Sequence, residues 1–232
     1  MSLRNMGRLL LARVGCDCPL CGARVGGARL CAGCEADLLS APPRCGRCGL
    51  RLRPGAPCCA ACLGTPRLFG RTVAAFDYEP PADALILMLK AQRRLGVAPV
   101  LARLIAAALA RDGPLPAGTL LLPVPAGRAS LRRRGMNPAA EIARGLAAEL
   151  ALPLARGVLL RRREAPPQTG QGRQARRAGA VGVYSCAGGV EGRHVAVVDD
   201  VMTTGSTADA AAGALLAAGA EGVTVLVAAR TQ

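Results

Sequence analysis

The stretch VAVVDDVMTTGST, Val195–Thr207, decides how the chain is read. Four apolar residues run into the adjacent aspartates Asp199 and Asp200, and a turn rich in hydroxyls follows, with Thr203, Thr204, Gly205, Ser206 and Thr207. A continuous apolar run without alternation is what a strand needs when both faces of a parallel sheet are covered. The hydroxyl-rich turn with its glycine suits the start of a helix, where unpaired backbone N–H groups and the positive end of the dipole receive an anion such as phosphate. Two carboxylates just before that cradle are suited to accept hydrogen bonds from the two hydroxyls of a ribose. Placed at the mouth of a crevice, they would escape the cost of burying charge.

Two other nucleotide-binding schemes fit poorly. A strand ending in acids could be a Walker B strand, but that requires a G-x-x-x-x-G-K-[ST] loop, and the only lysine, Lys90, follows Leu89. GQGRQA at 170–175 matches G-x-G-x-x-A, yet it follows Pro166 and Pro167 rather than a strand.

Working outward from this stretch, periodicity predicts a strand at 71–78, helices at about 82–92 and 97–111, a strand at 119–124 and a helix at 138–151 behind Asn137 and Pro138. A short strand near 158–161 and a long polar loop at 162–179 come next, and the chain closes with strand, helix and strand at 194–199, 204–218 and 222–229. The expected fold class is α/β, a parallel sheet flanked by helices and preceded by a small cysteine-rich module. The boundary is expected near Pro66, giving modules at 1–66 and 67–232, because ten of the eleven cysteines lie between Cys16 and Cys62.

Those cysteines form four C-x-x-C pairs. Sequential grouping puts Cys18, Cys21, Cys31 and Cys34 at one site and Cys45, Cys48, Cys59 and Cys62 at another, each offering the four thiolates that tetrahedral Zn²⁺ accepts. A disulfide framework or an iron–sulfur cluster is the alternative use of the same residues, and the first is disfavoured because no secretory signal is legible. Cys16 and Cys58 remain as spare thiols.

The formal charge is +15, which two tetrathiolate zinc sites would reduce to about +11. Between Arg128 and Arg177 stand twelve arginines against three glutamates, a surplus that suits polyanions or a pyrophosphate. Two Phe, two Tyr and no Trp leave few platforms for stacking bases. Arginines interrupt every apolar run before it reaches the ~18 residues of a membrane span, so no membrane insertion and a cytoplasmic location are expected. His194, alone at a strand start, reads as structural.

The thirteen residues Val195–Thr207 resemble the phosphoribosyl pyrophosphate (PRPP) signature of type I phosphoribosyltransferases. The chain as a whole resembles the ComF family of competence-associated proteins, which join a cysteine-rich zinc module to a phosphoribosyltransferase domain. Further matches are Leu89–Lys90, PVP at 123–125, the R-G-x-N of Arg134, Gly135 and Asn137, PPQT at 166–169, and Arg176–Arg177. The resemblance implies that Asp199 and Asp200 form the catalytic pair on the ribose diol, and that Thr203, Thr204, Gly205, Ser206 and Thr207 hold the 5-phosphate. It assigns the pyrophosphate to the turn Val124, Pro125 to Arg128, adds Arg134 and Lys90 to the substrate contacts, makes 162–179 a closing lid and brings in Mg²⁺ with PRPP. It departs from the family at Met136 (usually aromatic), Pro138 (usually Gln), Ala165 (usually Thr) and Gly179 (usually Asn), around the acceptor side and lid. The implied activity is phosphoribosyl transfer in nucleotide metabolism or in DNA uptake. The alternative is a non-catalytic module that senses PRPP or a nucleotide, or binds single-stranded DNA and docks a competence helicase.

Overall fold

Along the central strand, Val195 and Val197 enter one hydrophobic core while Ala196 and Val198 enter another, which is the period of two expected of a strand buried on both faces. The computed structural model describes residues 15–27, 29–40, 42–162 and 182–232. The expected lid, with PPQT at 166–169, GQGRQA at 170–175, Arg176–Arg177, Ala165 and Gly179, lies outside the described residues apart from Arg162.

The elements run β1 (Gly15–Asp17), β2 (Arg24–Gly26), α1 (Ala32–Leu39), α2 (Ala60–Leu63), β3 (Arg71–Asp77), α3 (Asp83–Lys90), α4 (Val97–Asp112) and β4 (Leu120–Pro123). Then follow α5 (Arg128–Arg134), α6 (Pro138–Leu150), β5 (Leu159–Arg161), β6 (Tyr184–Cys186), β7 (His194–Met202), α7 (Ser206–Ala217) and β8 (Gly222–Arg230). Four strands make one sheet in the order β3-β8-β7-β4, all parallel, with Asp199 opposite Val227 and Leu121 opposite Ala196. The parallel α/β architecture expected from the sequence is the one found.

One face is covered by α3, α4 and α6 through Leu85, Ile86, Leu89, Leu101, Ile105, Ile142 and Leu146. Helices α4 and α6 approach so closely that a Cβ at Gly145 would lie 2.9 Å from the Ala102 Cβ. Asn137 caps α6 by accepting from the Ala139 N–H at 3.2 Å, and Pro138 occupies the first turn, where its missing N–H costs nothing. The other face receives α7 through Ala208, Ala211, Ala212 and Leu215, beside Phe69 and Tyr184.

The cysteine-rich segment closes over both faces at the β3 edge. Cys18 and Leu30 join the α4 core, whereas Cys45, Cys48 and Cys62 join the α7 core. The Thr72 N–H donates to the Gly46 carbonyl at 2.9 Å and its hydroxyl to the Arg47 carbonyl at 2.7 Å, so the cysteine knuckle occupies an edge that would otherwise offer unpaired backbone groups. At the far end of β3, the buried Asp77 carboxylate is gripped by Arg44 and Arg51, each at 2.5 Å.

Three expectations change. Strand β7 runs through Met202 rather than ending at 199, because Val201 and Met202 still pair with Ala229 and Arg230 of β8. Helix α7 begins at Ser206 rather than 204, because Gly205 takes a left-handed conformation at its N-cap, φ +80°. The expected turn from Val124 to Arg128 ends in a helix: Arg128 opens the seven-residue α5, which left-handed Gly135 caps.

Candidate functional site: an aspartate and glycine-loop crevice

A shallow crevice opens at the carboxyl end of β7, lined by Val124, Asp199, Met202, Thr203 and the residues Gly205 to Ala208. Ligands of open parallel sheets sit at this end of the strands. Alternation answers why two like charges stand side by side, because successive side chains of a strand leave on opposite faces. Asp199 follows Val195 and Val197 into the crevice. Asp200 follows Ala196 and Val198 to the other face, where it meets the Lys90 ammonium at 2.9 Å. The expectation that both carboxylates sit at an open mouth is thereby corrected: Asp200 is buried and paired.

Asp199 is only half-buried by surface area, yet what surface it shows opens into the crevice, and protein surrounds it. Burial, with the Asp200 charge adding to it, lifts its carboxyl to about 7. The Asp200 N–H donates to the Asp199 carboxylate at 2.9 Å.

Beyond the aspartates the backbone turns through Thr203, Thr204 and Gly205 into α7. A Cβ at Gly205 would lie 2.6 Å from the Met202 Cε and 3.5 Å from the Arg67 guanidinium, so the position needs glycine both for its φ and for the packing beneath it. Thr203, Thr204 and Thr207 are exposed, and the Thr204 and Ser206 hydroxyls lie 3.1 Å apart. Arg67 binds the loop from beneath, donating to the Thr204 carbonyl at 2.9 Å and to Asp209 at 2.6 Å.

Across the crevice, Val124 is buried against the β7 backbone, its N–H donating to the Val198 carbonyl at 2.9 Å, and Asn137 donates to the Val124 carbonyl at 2.8 Å. Pro125 follows in the short loop, Arg128 is exposed at the start of α5, and Arg134 is half-buried at its end. Neither Met136 nor Pro138 lines the crevice: Met136 packs against the α4 core and Pro138 is buried in the first turn of α6. His194 stands at the opposite end of β7, its Nε2 2.9 Å from the Thr224 hydroxyl, in keeping with a structural part.

The cysteines group as their spacing predicts. The sulfurs of Cys18, Cys21, Cys31 and Cys34 lie within 4.8 Å of one another, as do those of Cys45, Cys48, Cys59 and Cys62. Four sulfurs at ~2.3 Å from a tetrahedral Zn²⁺ stand about 3.8 Å apart, so both quartets fit structural zinc. Cys58 is a fifth thiol beside the second quartet, 3.6 Å from the Cys45 sulfur.

The family model described as "Phosphoribosyl transferase domain" matches residues 130–232, which contain β7, the loop and α7. "Competence protein F" of Haemophilus influenzae is 32% identical over 184 residues, covering 77% of this chain and 80% of that protein. "DNA utilization protein YhgH" of Salmonella typhi is 32% identical over 206 residues, covering 87% of this chain and 90% of its own. This chain belongs to the competence protein F family. The Escherichia coli K12 member, also "DNA utilization protein YhgH", is 30% identical over 205 residues. A solved structure titled as the allosteric regulatory enzyme of purine biosynthesis overlays with a TM-score of 0.38 at 26% identity, over 56% of this chain and about a quarter (26%) of that enzyme. In this competence protein F relative, no helix among the described residues is long and apolar enough to cross a membrane.

Sequence reasoning for this family member missed Arg67 and Arg230, which reach the loop from beneath, and Asp209, which holds Arg67 there. Only Arg230 left a trace in the sequence, as a charge closing the apolar strand GVTVLVAAR.

Proposed function

We propose that the crevice binds PRPP and that the chain transfers its phosphoribosyl group to a nucleophile in nucleotide metabolism or in DNA uptake. The observation that carries this is the continuity of Asp199 with the glycine loop: a carboxylate acceptor for a sugar hydroxyl stands one turn from the amide-rich start of a twelve-residue helix. On this reading Thr203 to Thr207 take the 5-phosphate, Asp199 accepts from the ribose, and Asp200, held by Lys90, fixes the strand behind it. The turn at Val124, Pro125 and Arg128, with Arg134, faces the pyrophosphate. Mg²⁺ bound with PRPP would supply positive charge to the pyrophosphate, beside the turn at Val124 to Arg128. In the transfer the bond from the ribose anomeric carbon to the pyrophosphate oxygen breaks, its electron pair leaves with pyrophosphate, and the acceptor forms the new bond and sheds a proton to solvent.

A second reading, a non-catalytic module that senses PRPP or binds single-stranded DNA and docks a helicase, draws support from the exposed arginines Arg128, Arg132 and Arg133 on one short helix and from the names of the relatives. One experiment separates the two: PRPP and Mg²⁺ with a panel of purines and pyrimidines, read as pyrophosphate released. Base-dependent release is expected from the transferase. PRPP bound but never consumed, together with single-strand binding that weakens steeply with salt, would overturn transfer in favour of the binding module.

A further inference from the structure

Two arginines lie beneath the loop, and one of them also reaches the second cysteine cluster. Arg230, buried at the end of β8, donates through Nε to the Cys48 carbonyl at 2.8 Å and through its terminal nitrogen to the Met202 carbonyl at 3.1 Å and to the Thr203 carbonyl. No carboxylate pairs with it among the described residues, and its contact with the Cys48 carbonyl seats it against the second quartet. Arg67 donates to the Thr204 carbonyl at 2.9 Å and is paired with Asp209. The Leu68 N–H completes that anchor by donating to Asp209 at 3.0 Å.

Three consecutive carbonyls, those of Met202, Thr203 and Thr204, are therefore held inward by two guanidinium groups. Across a planar trans peptide the carbonyl of one residue and the N–H of the next point in opposite directions. Holding these carbonyls inward turns the N–H groups of Thr203, Thr204 and Gly205 outward, as an anion cradle requires. Four thiolates around one Zn²⁺ would carry a net charge of −2, so a loaded quartet would be the counter-ion of a buried guanidinium that no carboxylate pairs.

We propose, resting on the phosphate-loop reading above, that Arg230, with Arg67, is a positioning residue through which the Cys45, Cys48, Cys59 and Cys62 cluster sets the shape of the 203–205 backbone. The zinc site on the α7 face is then part of the ligand-binding apparatus, whereas the Cys18 site is not.

The test compares Arg230→Met, Arg230→Lys, Arg67→Gln, Cys62→Ser and Cys31→Ser in the full chain. It reads zinc per chain, amide exchange at 203–205 and affinity for Mg²⁺–PRPP. Arg230→Met is expected to keep both zinc ions, speed exchange at 203–205 severalfold and weaken PRPP tenfold or more. Lysine should fall between, because one ammonium cannot span Cys48 and the loop together. Cys62→Ser should loosen the loop, and Cys31→Ser, which breaks the other quartet, should leave it unchanged. If Arg230→Met does not fold, Arg230→Lys and Arg67→Gln decide. Loop exchange that is unaltered in the arginine variants, or altered equally by both cysteine variants, overturns the proposal. Failure of the wild type to bind PRPP would instead remove the functional reading, while the exchange data still decide the coupling.

Discussion

At the residue scale, the aspartate pair divides its work by the pleat of one strand. The folded pKa of Asp199 is raised above the ordinary carboxylate value, so between about pH 4 and 7 the folded protein holds a proton that the unfolded chain has lost. Stability therefore falls as pH rises through that window, and the penalty is complete above it. Asp199→Asn removes the penalty: the variant is expected to be more stable than the wild type at pH 8 by about 1–3 kcal/mol, with no difference at pH 4. Asp200→Asn takes away the partner of Lys90 and is expected to cost about 1.5–3 kcal/mol. Thermal melts at the two pH values check both, and an Asp199→Asn variant less stable than the wild type at pH 8 would contradict the account. The aspartates and the glycine were legible because their chemistry lies within thirteen consecutive residues. Arg67 and Arg230 were not, because Arg67 lies 137 residues from Thr204 and Arg230 lies 28 from Met202 and 182 from Cys48, and the charge closing β8 names none of these partners.

At the element scale, the two cysteine quartets differ in what they hold. The Cys18 quartet has an exposed member, Cys21, and leans on α1 and α4. The Cys45 quartet is mostly buried and shares its core with Phe69, Ala74, Val225 and Val227 of the sheet. Chelation is therefore expected to spare the sheet only at the first site. A chromophoric chelator should remove about one Zn²⁺ quickly with little loss of circular dichroism. The second should leave slowly and together with the main unfolding transition, since a structural site contributes roughly 10–16 kcal/mol of binding free energy. Release of both ions in one fast phase would contradict this. The quartets themselves could be read from C-x-x-C spacing, as could α6 from its Asn–Pro start. Helix α5 could not, because seven residues with one leucine have no apolar periodicity to show.

On the scale of the whole molecule, the cysteine segment folds as a clamp on the edge strand, one quartet toward each face, and Arg230 of β8 links the second quartet to the loop. The sequence leads one to expect two modules in order along the chain, but not that the cysteine segment joins both cores, since that depends on which face of β3 each knuckle meets. The central claim is that this crevice is a PRPP site. Its most direct test is calorimetric titration of Mg²⁺–PRPP at pH 8 into the wild type and into the Asp199→Asn, Asp200→Asn double variant, with melting curves taken in parallel. Each charge-assisted hydrogen bond lost is worth about 1.5–3 kcal/mol, so one-to-one binding by the wild type is expected to weaken tenfold or more in a double variant that still melts cooperatively. A wild type that takes up no PRPP, or a folded double variant that binds it equally well, would contradict the account.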